Sequence, residues 1–203
     1  MDETECNYVA AAEFDNGSCY NNDLGCGCDT PEAEDGYDCD GNELPEYQIG
    51  DLVEGGIVYY VDETGGHGLV AALEDLPGVY AWGCTDGMVS GADGTAIGTG
   101  LQNTLDIVNG CSDTNSAGYN AFNASMGGYE DWCLPSKDEL IAMYNGIGNA
   151  GPYGDISNFG NGWYWSSTEL DDGYAYTTFF ANGYTTDEVK SYPHMRILVV
   201  RSF

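Results

Sequence analysis

Asp131-Trp132-Cys133-Leu134-Pro135-Ser136-Lys137-Asp138-Glu139-Leu140 carries the clearest structural signal in the chain. Ser136-Lys137-Asp138-Glu139 is a capping box: the serine hydroxyl and the glutamate three residues on each satisfy a backbone N–H that a helix leaves orphaned. Leu140, Ile141 and Tyr144 then supply the apolar positions of a helix that starts at Lys137. Upstream, Leu101, Leu105 and Val108 have helical spacing, as do Ala117, Ala121, Phe122 and Met126, so two further helices are predicted there.

Outside this helical middle the pattern changes to strands. Ile57-Val58-Tyr59-Tyr60-Val61 reads as a strand, residues 62–67 as a Gly-containing turn, and Gly68 to Leu73 as the returning strand. Trp163 to Thr168 is another strand. Tyr174–Ala181 and Tyr184–Lys190 read as a hairpin closed by the two-residue turn Asn182-Gly183. Met195 to Arg201 is the most hydrophobic strand, expected to pair centrally with the first strand near Ile57–Val61. Helices in the middle and antiparallel strands at both ends predict an α+β domain over residues 49–203.

Residues 1–48 are of another kind. They hold fourteen of the 34 acidic residues, no Lys or Arg, and five of the eight cysteines, set among turn-forming residues with almost no aliphatic side chains. Such an acidic, cysteine-rich arm cannot bury enough apolar area to fold by itself; it needs disulfides, ions or a neighbouring surface.

The whole chain carries a net charge of −30, with only four Lys and Arg. That charge excludes nucleic acid as a partner, because nucleic-acid binding needs a basic surface, and argues equally against anionic membranes. It favours divalent cations, calcium above all, which prefers carboxylate and carbonyl oxygens. An aromatic content of 13%, with sixteen tyrosines, is high enough for most of the chain to fold. No apolar run approaches the ~20 residues of a membrane span. Met1-Asp2-Glu3-Thr4-Glu5 has no signal-peptide character, and the chain reads as a mature or truncated sequence.

The cysteines place the protein in an oxidising, extracellular setting. Cys26 and Cys28 form C-x-C rather than a zinc-type C-x-x-C, and the chain has only His67 and His194. Cys84 and Cys111 flank the first helix and are the favoured disulfide, worth roughly 3–4 kcal/mol in the loop-entropy picture. Cys6 with Cys19 is the expected pair within the arm, and Cys26, Cys28 and Cys39 are left for bonds the sequence does not assign. Cys133 either pairs with an arm cysteine or is a small buried hydrophobe.

The segment from Asp51 onward resembles the Lcl C-terminal domain family, the carboxy-terminal domain of a collagen-like bacterial adhesin. That family has a C-type-lectin-like, formylglycine-generating-enzyme-like fold. The resemblance rests on Gly55-Gly56-Ile57-Val58-Tyr59-Tyr60, His67-Gly68-Leu69-Val70-Ala71, Trp82-Gly83-Cys84, Gly98-Thr99-Gly100-Leu101-Gln102-Asn103-Thr104, the 131–140 stretch, Trp165-Ser166-Ser167-Thr168-Glu169 and Val200-Arg201-Ser202-Phe203, over about three-quarters of the chain. It implies a lectin-like fold and a role in adhesion or assembly without enzymatic activity. The chain departs from the family at Cys133, where Arg or Tyr usually follows the Trp. It also lacks the Glu-Pro-Asn, Gln-Pro-Asp and Trp-Asn-Asp triplets of sugar-binding C-type lectins. The arm resembles short Cys-Asn-Tyr and Tyr-Asp-Cys-Asp-Gly-Asn repeats of secreted bacterial surface proteins.

Three groups of residues bear on function. Asp35, Asp38, Asp40 and Asn42 alternate around a turn as calcium ligands can, although the spacing is not that of an EF-hand; Asp15 heads a weaker candidate of the same kind. Tyr, Asn, Gly, Asp and Thr dominate residues 158–192, a composition of rigid aromatics and adaptable polar groups suited to contact surfaces. Trp163, Tyr164, Tyr174, Tyr176 and Tyr184 are the candidate ligand contacts; ordinary strand faces account for the same composition. Gly94 to Gly100 opens a helix but lacks a following Lys, and reads as a structural loop rather than a phosphate cradle. No G-x-S-x-G or H-E-x-x-H is present. The expected function is a non-enzymatic surface protein, with a partner that is a glycan, a protein or itself. In the self-assembling alternative, the arm docks on a neighbouring copy and builds a filament. A further alternative is a hypervariable ligand-binding protein of the diversity-generating type.

Overall fold

The structure is a computed structural model that describes residues 46–152, 154–157 and 159–203. Residues 47–63 and 67–203 form one compact unit. The expectations for Asp15, Asp35, Asp38, Asp40, Asn42, Cys6, Cys19, Cys26, Cys28 and Cys39 fall outside the described residues.

The fold is α+β, with three helices and two antiparallel sheets among the described residues. The first sheet has the order β1-β2-β3-β7: β1 is Leu52–Val53, β2 Gly56–Val61, β3 Gly68–Ala72 and β7 Val200–Ser202. Helices α1 (Gly100–Gly110), α2 (Ala117–Phe122) and α3 (Lys137–Gly146) follow β3. The second sheet is a meander of β4 (Trp163–Glu169), β5 (Tyr174–Phe179) and β6 (Tyr184–Val189).

Alternation along the strands of the first sheet builds two cores, because successive side chains point to opposite faces. Val58, Val70, Ile197 and Val199 join Trp82, Ile107, Ala117, Ala121, Trp132 and Trp165 on one face, under α1 and α2. Ile57, Tyr59, Ala71, Leu198 and Val200 join Leu140, Met143, Ile147, Tyr164 and Phe180 on the other, against α3. Burial on both faces explains why Met195–Arg201 is nearly continuous in apolar residues.

That last segment is expected to be a central strand beside β2; instead β7 stands at the end of the first sheet's order. Its regular ladder pairs Val200–Ser202 with Leu69–Ala71 of β3, not with β2. Upstream, Leu76 and Ala72 donate to the carbonyls of Ile197 and Val199, while Arg196 exchanges backbone bonds with Trp163 and Trp165, and Val200 with Cys133. The segment therefore runs as a seam between the two sheets.

The capping box forms as read: Ser136 Oγ accepts from Glu139 N, and Glu139 Oε2 accepts from Ser136 N at 2.7 Å. Two helical readings need correction. In α1 the buried face is Gly100, Asn103, Thr104 and Ile107, while Leu101 is half-exposed. The polar pair turns inward because it has partners there. Asn103 bonds Gly94 N, Gly94 O and Ser167 Oγ; Thr104 Oγ1 donates to Gly100 O and accepts from Leu134 N. In α2 the helix ends at Phe122, and Met126 instead closes a tight turn with Tyr129.

The β5–β6 hairpin is also corrected. Its turn has four residues, Phe180–Gly183, and pairs Phe179 with Tyr184. Phe180 leaves the ladder to pack against Tyr164, Tyr144 and Phe159, at ring separations of 4.9, 5.9 and 6.2 Å. Gly183 takes φ +71°, and a Cβ there would lie 2.4 Å from Tyr144 Cε1, so only glycine fits.

Cys84 and Cys111 form the expected disulfide, Cα–Cα 5.3 Å, which closes the 84–111 loop around α1. Cys133 forms none: its thiol is buried and lies 3.3 Å from Val200 O, to which it donates. Among the described residues this is the small buried hydrophobe of the two expectations; the alternative, a bond to an arm cysteine, involves residues outside those described.

Candidate functional site

The candidate contact residues sort into three groups once the second sheet is in place. Trp163 and Phe179 stand directly opposite each other across β4 and β5, and Phe179 and Tyr184 across β5 and β6. The three side chains therefore share one face and form a row across the sheet. Trp163 stacks on Phe179 with centroids 4.9 Å apart and planes 25° apart; Tyr184 meets Trp163 edge-on at 6.2 Å. Trp163 and Phe179 are half-buried and Tyr184 is 59% exposed. The row thus has a fixed inner part and an open outer end.

Tyr174 and Tyr176 lie on the opposite face, at odd spacing from Phe179 in an unbroken register. Tyr176 is covered by Lys137, whose ammonium sits 4.9 Å from the ring centre, and Tyr174 is exposed. Tyr164 is fully buried, which corrects its reading as a surface contact. Its hydroxyl donates to Gly160 O at 3.1 Å, and burial, with the Asp75 carboxylate beside it, raises its pKa to about 12. The structure brings Trp163 and Tyr184 together and keeps the other three apart from them.

Phe179 is the member of the row that sequence reasoning missed. The only signal was its period-two relation to Ala175 and Thr177, and it decides nothing until the four-residue turn fixes the register. The same face carries Thr186 and Glu188 along β6, two and four residues beyond Tyr184. This arrangement offers flat aromatic surface flanked by a hydroxyl and a carboxylate. It can stack on the apolar face of a ring or chain while the polar groups orient it.

The opposite end of the same sheet is fastened by an ion pair that no local pattern announces. Glu169 ends β4 and Lys190 follows β6; both are buried and bonded to each other. Lys190 also donates to Gly87 O at 3.1 Å and lies 5.0 Å from the centre of Trp82, while both Glu169 oxygens accept from Val89 N, at 3.0 and 2.9 Å. The pair pins the disulfide-bonded loop 84–89 to the far ends of two strands of the second sheet. That loop borders an open cavity of about 460 Å³ lined by residues 84–89 and 110–113.

Glu139 explains the glycine-rich loop. Besides its capping-box bond, its Oε1 accepts from Gly98 N at 2.7 Å and Gly100 N at 3.4 Å, so the start of α1 already holds a carboxylate. A Cβ on Gly100 would lie 2.3 Å from Glu139 Oε2, which requires glycine there. The loop is structural, as read. Among the described residues no group of three or more His, Cys, Asp or Glu converges on a metal position, and no helix is long and apolar enough to cross a membrane.

No family model matches the chain, and no curated protein matches it. Among solved structures it is similar to a fimbrial protein from Bacteroides ovatus, with a TM-score of 0.44 and 16% identity, over 84% of this chain and 49% of that one. The chain thus spans about half the length of that protein, and a likeness of this degree carries no argument about role.

Proposed function

We propose that this protein is an extracellular or cell-surface, non-enzymatic binding module that acts in adhesion or surface assembly. We take its domain to be lectin-like in architecture, in keeping with the resemblance to the Lcl C-terminal family. The observation that carries the reading is the row Trp163–Phe179–Tyr184, built across three strands and left open at Tyr184. Aromatic side chains of this kind are common anchors of recognition surfaces because they bury large areas at little entropic cost. The Cys84–Cys111 disulfide supports an oxidising location. The partner is a glycan or a protein with a flat apolar face, and calcium stabilises the acidic chain.

The test is binding of the full chain to a glycan array and to immobilised surface proteins, with Trp163→Ala and Tyr184→Ala alongside. Loss of a captured ligand in both variants supports the reading. Binding that neither variant alters, or no ligand on any surface, overturns it.

A second reading, a self-assembling subunit, is favoured by the exposed edge of β6, which has β5 on one side and no strand on the other among the described residues. Free strand edges are templates for pairing with another chain. Light scattering with calcium and with a chelator tests it: growth of the particle with calcium supports assembly, and a monomer under both conditions removes it.

A further inference from the structure

A second cavity, of about 280 Å³, lies on the other sheet, away from the aromatic row and unconnected with the function proposed for it. Leu101, Phe122, Trp132 and Val200 supply apolar walls, and Glu139 and Arg201 contribute polar ones. Leu101 and Phe122 occupy apolar positions of α1 and α2 that helical spacing assigns to the core, yet they are 49% and 37% exposed, at this cavity. Exposed apolar side chains gathered at a concavity mark a place where an apolar group is received.

The polar chemistry of the wall is one-sided. Most of the donors are already in use: Trp132 Nε1 donates to Met126 O and Tyr129 O, the Cys133 thiol to Val200 O, and each nitrogen of Arg201 to Asp131 or Glu54; the exposed Ser202 hydroxyl, which accepts as well as donates, is the exception. Acceptors remain. Glu139 is 2% exposed and takes three backbone N–H bonds, one of them a long 3.4 Å, whereas a carboxylate has about four acceptor positions. The charge is one-sided too. Two carboxylates, Asp131 and Glu54, face the single guanidinium of Arg201, so Glu139 adds to a local negative excess.

We propose that this cavity binds a small hydrophobic amine: a single ring or short chain with a protonated nitrogen directed at Glu139. The volume lies just below the roughly 300–1,000 Å³ of ligand clefts, which suits one ring with a short tail. An anion meets the local negative excess, and a neutral ligand forgoes the charge-assisted bond.

The test titrates the full chain, isotope-labelled for NMR, with 2-phenylethylamine, 2-phenylethanol and 3-phenylpropanoate. The amine is expected to saturate below about 1 mM, to shift Leu101, Phe122 and Val200, and to bind about tenfold more tightly than the alcohol. The carboxylate is expected not to bind. Glu139→Gln is expected to erase the preference for the amine over the alcohol. Leu101→Trp, which fills the mouth without touching the capping box, is expected to abolish binding of both; it decides the matter if Glu139→Gln does not fold. The proposal is overturned if the amine does not saturate, shifts other residues, binds no better than the alcohol, or binds Leu101→Trp as it does the parent chain.

Discussion

At the scale of single residues, the buried polar groups were the least legible part of the molecule. Glu169 and Lys190 lie twenty-one residues apart with no periodic relation, and only the closed meander brings them together. Removing one partner of such a pair leaves an uncompensated buried charge, which costs about 3–5 kcal/mol. Lys190→Met is therefore expected to lower the urea midpoint steeply, and the double variant Lys190→Met with Glu169→Leu to recover much of the loss. Tyr59 presents the reverse case. Its ring fills the core beside α3, but its hydroxyl is buried with no hydrogen-bond partner among the described residues, and burial holds its pKa well above the ordinary value. Tyr59→Phe is expected to raise stability by about 1 kcal/mol, read in the same unfolding experiment, because a buried hydroxyl without a partner is a net cost. Alternation marked Tyr59 as a strand residue but could not say that its far end would find no acceptor. Cys133 was legible only by elimination: with Cys84 and Cys111 paired, it was the odd thiol of its domain. Burial raises its pKa, and it has no disulfide partner among the described residues.

At the scale of elements, local chemistry was read correctly wherever it was self-contained. The capping box placed the start of α3, because both of its bonds lie within four residues of sequence. The face of α1 was misread for a physical reason: Asn103 and Thr104 are polar in any scale, but each finds partners inside, and no window of sequence shows those partners. The hairpin failed in register rather than in existence, since the burial of Phe180 outweighed the preference for a two-residue turn. Glu139 joins two elements, and its titration gives a measurable signature. Its pKa is raised, chiefly by burial, against the lowering effect of the backbone N–H bonds from Ser136, Gly98 and Gly100. The folded state then binds this proton more tightly than the unfolded state. Its contribution to stability is full below the unfolded carboxylate value of about 4.3 and is lost as pH rises through the raised folded value. Asp131 has the opposite sign: hydrogen bonding to Arg201 lowers its pKa, and its contribution disappears as pH falls through that lowered value. Plotting the difference in thermal midpoint between the parent and Glu139→Gln against pH isolates the first effect. Relative to the parent, the variant is expected to gain stability as pH rises from about 4 towards neutrality.

At the scale of the whole molecule, composition spoke more plainly than any motif. The four bases of the chain are Lys137, Lys190, Arg196 and Arg201. Each is already engaged: with the Tyr176 ring, Glu169, Asp75, and Glu54 with Asp131. Three of the four are paired with carboxylates, and Lys137 alone does little against the remaining negative charge, so self-repulsion works against the compact state until ions screen it. Raising the salt concentration from 10 mM to 0.5 M, which shortens the screening length from about 30 Å to about 4 Å, is expected to lift the thermal midpoint by about 5 °C or more. Calcium is expected to act at far lower concentration than sodium; equal potency of the two at matched ionic strength would point to screening alone. The α+β class was legible because helical and alternating segments occupy separate parts of the sequence. The seam was not, because Met195–Arg201 reads as one strand of one sheet whereas it bonds to both. That seam also sets an order of events. Everything from Leu52 to Val189 can be synthesised, and its local hairpins and helices formed, while the two cores still lack Ile197, Leu198, Val199 and Val200. Contacts that join the end of a domain to its beginning form late. Until the segment arrives from the ribosome, the nascent domain is an unclosed chain, the condition in which a polypeptide can still be threaded through a narrow pore.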